Sequence, residues 1–373
     1  MGSQVTAHRV RLVTSALLAA GMLAGMSPPA QASARSWSAV PATPLAVGGV
    51  LFDAAATSAR SAWAVGFTGV FPKLSALIER WHGRMWTPVP SPKPAGGVAL
   101  WSVTATSTRR AWAVGFTSSL TRSKTVILRW NGRRWNRTPS PSGRLYGLAV
   151  TSARNAWAVG FSGILGSLNK TLILHWNGRT WARAPGSSGP GHLYGVAATS
   201  TRSAWAVGCS SCNSPGARTL IEHWNGTTWT RVPSPNPAGG GFLFSVAATS
   251  ARSAWAVGST GSFNRPRTLI EHWDGTTWTR VPSPNRAGTG TLYRVTATSA
   301  RTTWAVGVNG CDGCANTKTV ILRWNGVTWK RMPSPRGALY GVTATSARNA
   351  WAVGYTGGFG RTLILRWNGT AWK

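Results

Sequence analysis

The sequence predicts an all-β fold: a seven-bladed β-propeller of four-stranded antiparallel blades, closed by the N-terminal strand. Three observations predict it. A Trp-Ala-Val-Gly tetrapeptide returns seven times, starting at Trp63, Trp112, Trp157, Trp205, Trp255, Trp304 and Trp351, at intervals of 45 to 50 residues. An aromatic residue stands eleven positions before every copy, a second Trp sixteen to twenty after it, and a third Trp five later. No stretch between them reads as a helix of useful length. A fixed period of this size marks a radial or stacked array of one supersecondary unit.

The chain begins with an expected export signal. Basic His8, Arg9 and Arg11 precede an apolar run from Leu12 to Met26, then Ser27-Pro28-Pro29 and small residues around Ala30-Gln31-Ala32 and Ala32-Ser33-Ala34. Charge, apolar run and small-residue cleavage site in that order are a secretory pattern, and the run is short for a bilayer span. We therefore divide the chain into a signal peptide, residues 1–34, and a single propeller domain, residues 35–373. Ser36-Trp37-Ser38-Ala39-Val40-Pro41 matches a repeat end such as Thr228-Trp229-Thr230-Arg231-Val232-Pro233, whereas Thr370-Ala371-Trp372-Lys373 stops before the proline. An N-terminal strand completing the last blade would remove two exposed edges. Trp37 and Trp372 claim the same repeat position, and the sequence leaves the choice open.

Within a repeat we read four strands. The first resembles Leu339-Tyr340-Gly341-Val342-Thr343-Ala344-Thr345, rich in β-branched, aromatic and small residues. A short turn leads to the Trp-Ala-Val-Gly strand. A loop of varied length precedes the third, as in Thr362-Leu363-Ile364-Leu365-Arg366-Trp367. Asn-Gly, the strong hairpin signal with both turn residues at positive φ, leads to the fourth. That strand ends at Val-Pro-Ser-Pro, and proline suits an outer edge because it cannot donate to a ladder.

The spacings assign faces. The first-to-second and third-to-fourth turns keep one length throughout. The other two connections vary, and in an up-and-down blade they emerge together on the opposite face. Variable loops on a rigid scaffold are where binding concentrates, so the variable face is the expected functional one.

These motifs resemble the W-A-V-G repeat propellers of secreted bacterial proteins, distantly similar to kelch, galactose-oxidase and sialidase-type propellers. The resemblance covers Trp37 to Lys373 and implies the fold; propellers host unrelated activities. Relatives often carry Asp two residues before the motif Trp, where this chain has Ser61, Arg110, Asn155, Ser203, Ser253, Thr302 and Asn349. The sialidase Asp-box is absent.

Candidate residues fall into three groups. The aromatic column Phe52, Trp101, Tyr146, Tyr194, Phe244, Tyr293 and Tyr340, with Asp53 and Arg294 as irregularities in the next position, either packs the core or lines a mouth on the variable face. Arg60, Arg109, Arg154, Arg202, Arg252, Arg301 and Arg348, three residues before each motif, would form an anion-binding ring if they converge, or cap their own turns or point into solvent if they do not. Cys209 with Cys212, and Cys311 with Cys314, read as two loop disulfides, since blade five separates the pairs and a shared zinc needs all four sulfurs at one metal. The Trp copies in register read as blade-to-blade packing.

The formal charge is +34, from 40 Lys plus Arg against 6 Asp plus Glu. Such a balance favours anionic partners. The positive charge recurs by repeat rather than in one tail, and no nucleic-acid recognition motif accompanies it. Six carboxylates are too few for much acid–base chemistry, and a glycosidase needs two opposed ones. We expect no catalytic residue, cofactor or metal. The leading functional reading is a secreted, monomeric, non-enzymatic binding module for an anionic or neutral extracellular polymer, such as cell-envelope polysaccharide, or for a protein. The alternatives are a carbohydrate-active hydrolase or lyase of sialidase-like type and a structural adhesion module. No specific nucleic-acid partner and no membrane span after signal cleavage are expected.

Overall fold

The computed structural model describes residues 49–373, apart from 93–96, 120–122, 164–168, 187–188, 213, 215, 262–264, 285–288, 311–316 and 357–360. The expected signal peptide, Trp37, Cys311 and Cys314 lie outside the described residues. The first blade consists of β1 (Gly49–Ser58), β2 (Ser61–Thr68), β3 (Ser75–Trp81) and β4 (Trp86–Pro88), hydrogen-bonded in that order and antiparallel. Seven such sheets follow one another, the last with three named strands. No described helix is long and apolar enough to cross a membrane.

The ring closes through packing between the first and seventh blades. Trp351 of blade seven lies 4.9 Å from Trp81 and 5.3 Å from Trp86 of blade one. The Thr343 hydroxyl accepts from the Ala56 amide across the same seam. In blade seven the outer position belongs to Trp372, which bridges Trp367, and Lys373 exchanges backbone hydrogen bonds of 2.7 and 2.9 Å with Arg366. Between the two claimants for this position, Trp372 is the one seen in place.

Blade-to-blade packing is an indole lattice. Each motif Trp meets the second and third Trp of the following blade: Trp63 lies 5.0 Å from Trp130 and 5.1 Å from Trp135, and Trp205 lies 4.9 Å from Trp273 and 5.2 Å from Trp278. The contact with the third Trp is edge-on, which sets the positive ring edge against the negative face. Arg80, Arg129, Arg323 and Arg366 lay their guanidiniums over this lattice, while His175, His223 and His272 lie against the motif Trp in the other three blades.

The motif glycine has a backbone cause. In β1, Leu51 pairs with Gly66 and Asp53 with Val65, so Phe52 is the extra residue of a β-bulge. The other six blades repeat that shift at their aromatic. The bulge drives a carbonyl of the innermost strand into the space a Cβ would occupy on the opposite glycine, from Val50 onto Gly66 to Ala338 onto Gly354. A bulge re-aims a side chain. Here it aims seven aromatics along the ring, and the motif glycine makes it sterically feasible.

One local expectation is corrected. The Asn-Gly hairpins are four-residue loops, not two-residue turns with positive φ at both positions. Gly132 has φ of 97° while Asn131 is absent from the left-handed residues, and Trp130 pairs directly with Trp135. The Asn131 Oδ1 accepts from the Arg133 and Arg134 amides at 2.9 Å each. The side chain thus substitutes for a backbone turn, as Asn and Asp do in Asx-turns. Asp274 does the same in blade five, and its carboxyl is held below the usual range by the Thr277 amide and by the Thr276 hydroxyl and amide.

Candidate functional site

The seven bulge aromatics form an unbroken circle around the axis. Ring centroids are separated by 4.2 Å for Phe52–Trp101, 5.0 Å for Trp101–Tyr146, 5.5 Å for Tyr146–Tyr194 and 5.4 Å for Tyr194–Phe244. Phe244–Tyr293 at 5.5 Å, Tyr293–Tyr340 at 4.7 Å and Tyr340–Phe52 at 5.1 Å complete it. Phe52, Tyr146, Tyr194 and Tyr340 are buried, whereas Trp101, Phe244 and Tyr293 are half-buried. Four of the seven are thus core side chains, and three keep partial exposure.

One residue further from the variable face, the next register forms a floor. Gly147, Gly195 and Gly341 let neighbouring innermost strands approach so closely that a Cβ would meet adjacent backbone. The floor is polar where the repeat departs from glycine. Asp53 of blade one forms an ion pair with Arg294 of blade six, passing over Gly341 of blade seven. Asp53 Oδ2 also accepts from the Ser102 hydroxyl at 2.8 Å and the Val103 amide at 3.0 Å, and Oδ1 from the Ala54 amide at 2.9 Å. Arg294 donates to the Ser102 hydroxyl at 3.4 Å. Burial pushes the Asp53 carboxyl up, and the Arg294 charge, the Ser102 hydroxyl and the two amides act against that rise. The aromatic and polar irregularities singled out in the sequence thus come together in one cup.

Around the cup, blades three and four add a buried polar cluster that sequence reading missed. His192 stacks 3.9 Å from Phe161 and contacts the Asn169 amide group at 3.0 Å and the Tyr194 hydroxyl at 3.1 Å. Burial, reinforced by Arg144, brings the His192 pKa down to about 4, so the ring is neutral at pH 7. Arg144 is buried over Phe116 and Phe161, and its own pKa is lowered by burial. Its position before the aromatic holds Val50 in blade one and Ala99 in blade two, and that contrast was the available signal.

The Cys209 and Cys212 sulfurs lie within 4.8 Å of a His192 nitrogen. They are joined as the expected disulfide, which leaves no thiolate there for a metal. The expectation of two loop disulfides is thereby narrowed to one described bond. Cys311 and Cys314, unlike Cys209 and Cys212, lie outside the described residues, and the bond expected between Cys311 and Cys314 is not among those the structure describes.

The seven motif-linked arginines are exposed at the turns on the constant face. Each backbone amide donates to the serine hydroxyl two residues earlier, from Arg60 on Ser58 to Arg348 on Ser346. Their aliphatic stems lie beside the third-to-fourth turn glycine of the same blade, such as Gly83 for Arg60 and Gly132 for Arg109.

A groove of about 660 Å3 runs beside blade one, lined in part by Ala76, Val89, Pro90 and Pro92. A threonine occupies the Ala76 position in the other six blades, and in blades two, four and five its hydroxyl bonds the Ser of the Ser-Pro segment at 2.8 Å: Thr125 to Ser140, Thr219 to Ser234, Thr268 to Ser283. Ala76 cannot make that tie.

No family model and no curated protein matches this chain. Solved structures do. It is similar to YCF48 bound to D1 peptide, with 16% identity, 91% of this chain and 97% of that chain covered, and a TM-score of 0.58. YCF48 from Cyanidioschyzon merolae gives 17% identity, coverage of 90% and 99%, and a TM-score of 0.56. An ulvan lyase of polysaccharide lyase family PL25, bound to a glucuronate–sulfated rhamnose unit, gives 9% identity, coverage of 91% and 97%, and a TM-score of 0.58. Identities this low establish a shared propeller fold. They do not carry a ligand across.

Proposed function

We propose that the protein is an exported, non-enzymatic binding module that takes an extracellular polysaccharide in the aromatic cup of its variable face. The observation that carries this reading is the cup itself: half-buried Trp101, Phe244 and Tyr293 stand beside a floor made of Asp53, Arg294 and Ser102. Sugars are bound by apolar ring faces together with a few fixed polar groups, and that is the chemistry assembled here. Export is supported by the pattern of residues 1–34 and by the Cys209–Cys212 disulfide. Against hydrolysis stands the engagement of Asp53 with Arg294 and three hydrogen-bond donors; among the described residues it is the sole carboxylate at the axis.

The test is a glycan array followed by titration of the strongest ligand. Trp101→Ala should weaken binding by about tenfold or more, the loss of one stacking platform. Absence of any glycan ligand, or turnover of the bound glycan, would remove the reading. A peptide ligand is the second reading, supported by the YCF48 neighbour whose structure holds a D1 peptide; a peptide array on the same Trp101→Ala pair separates the two.

A further inference from the structure

The constant face carries exposed charge of its own. Of the six carboxylates in the chain, Asp53, Glu79, Glu222 and Glu271 are buried, Asp312 lies outside the described residues, and Asp274 alone is exposed among those described. The exposed surface is therefore almost purely cationic, and its cations are unevenly placed. The motif-linked arginines give every blade one guanidinium on the constant face. The third-to-fourth turns, which abut them, do not repeat that evenness. Arg84 stands there in blade one, Arg133 and Arg134 in blade two, and Arg179 in blade three, all exposed. Blades four to seven have Thr227-Thr228, Thr276-Thr277, Val327-Thr328 and Thr370-Ala371 at the same place, with Asp274 in blade five. Blade two adds exposed Arg110 where the other blades have Ser, Asn or Thr.

Blades one to three thus carry eight arginines on this face, and blades four to seven carry four with one opposing carboxylate. The stems of Arg60, Arg109 and Arg154 lie against Gly83, Gly132 and Gly178, immediately beside Arg84, Arg133 and Arg179. Adjacent blades are joined here as well, since Arg80 of blade one donates to the Thr108 carbonyl in the turn of blade two at 3.3 Å. In the other six blades that turn carbonyl takes the indole N–H of the blade's own second Trp.

The geometry points to a second binding surface: an arginine crescent on the constant face of blades one to three, centred on Arg109, Arg110, Arg133 and Arg134, that docks a linear acidic glycan bearing sulfate or uronate groups. All eight cations of the arc are arginine. A guanidinium offers a planar fork of donors that matches the paired oxygens of carboxylate and sulfate, which an ammonium does not. Among the described residues the arc offers one exposed aromatic ring, His82 in the blade-one turn, and no exposed Trp, Tyr or Phe in a series on which successive bases could stack. Successive turns present charge along a line rather than at a point, so the ligand is a chain with repeated anionic groups rather than a single small anion. The surface is independent of the cup, which opens on the opposite face.

Two variants that remove equal charge decide the matter. R109S/R110S/R133S/R134S removes the centre of the crescent, four of its eight arginines; R202S/R252S/R301S/R348S removes four guanidiniums from the other side of the same face. Binding of a heparin oligosaccharide (sulfated) and of oligogalacturonate (unsulfated) is measured by calorimetry at rising salt. The crescent variant should lose about tenfold or more in affinity and show a shallower dependence of affinity on salt, while the control stays within about twofold of the native protein. Should the crescent variant fail a circular-dichroism check of folding, R110S/R133S against R252S/R301S makes the same comparison. Equal effects of the two sets, large or absent, would mean a diffuse field and overturn the assignment, as would tighter binding of duplex DNA than of either glycan at matched salt. Trp101→Ala should leave this binding unchanged, which keeps its failure distinct from failure of the cup.

Discussion

The axis-side and rim-side halves of the blades obey different rules. Near the axis every blade repeats the bulge, its aromatic and the motif glycine, because a carbonyl occupies the place of a Cβ in all seven. On the third strand the same register position is Leu128, Leu174, Leu322 or Leu365 in four blades and Glu79, Glu222 or Glu271 in three. Backbone collision admits no substitute, whereas a side-chain pocket between blades accepts a carboxyl at a cost that depends on pH. The motif glycine is repeated strictly because of backbone geometry, whereas the third-strand position varies because side chains alone must fit there.

The largest effect should fall on the strict half. Gly258→Ala sets a Cβ against the Phe242 carbonyl. We expect a loss of about 4 kcal/mol or more by denaturant unfolding, the range of severe core disruption. Gly189→Ala, which meets nothing within 4 Å, is the control and should stay within about 0.5 kcal/mol. Similar losses for the two would end the backbone argument.

The rim-side half should answer to pH. Burial raises Glu79 to about 7 and Glu271 to about 8, with Arg280 working against the latter rise. Both pKa values are higher folded than unfolded, so the protonated forms favour the fold. That contribution is complete below the unfolded pKa of 4.5 and is lost as pH rises through about 7 and about 8. Glu271→Leu should therefore stabilise the protein at pH 9 by about 3 to 5 kcal/mol and change it little at pH 4.5. An equal gain at both pH values would mean that packing, not ionisation, separates the two residues.

In the native protein the same linkage makes stability climb as pH falls from about 9 to about 6.5. Below that the histidines oppose it. His192 is depressed to about 4, and burial lowers His175, His223 and His272 as well, so their contribution is lost as pH falls below 6.5. Melting temperature against pH should rise and then level off on acidification, and the rising limb should vanish in E79L/E271L. Few carboxylates alone imply tolerance of acid; the buried imidazoles set its limit. The smallest expected effect is Ala76→Thr, which restores the hydroxyl tie of other blades. It should add about 0.5 to 1.5 kcal/mol and draw the Ser-Pro segment onto the third strand, narrowing the groove in a crystal structure.

Much of this was legible in the chain because each repeat states it afresh. The period, the four strands, the two faces, the Trp packing and the Cys209–Cys212 disulfide are local patterns copied into space. Other features depend on the ring being bent. Asp53 and Arg294 are single departures in separate repeats, and only curvature over Gly341 makes them partners. The arginine crescent is plain in the text once turns are sorted by face, yet single-column reading shows an even circle. The Asn side chain, rather than two positive-φ residues, shapes the third-to-fourth hairpin because it can accept two amides at once. Matching motifs do not decide between Trp37 and Trp372 for the last outer strand; Trp372 bridges its hairpin partner Trp367 through a short loop, and Trp37 lies outside the described residues.

The indole lattice also has an optical consequence. Chromophores held about 5 Å apart at steep mutual angles in every blade seam couple their excited states. The intact ring should therefore show a strong exciton couplet in ultraviolet dichroism and muted emission. Both report the opening of any one seam without an added label.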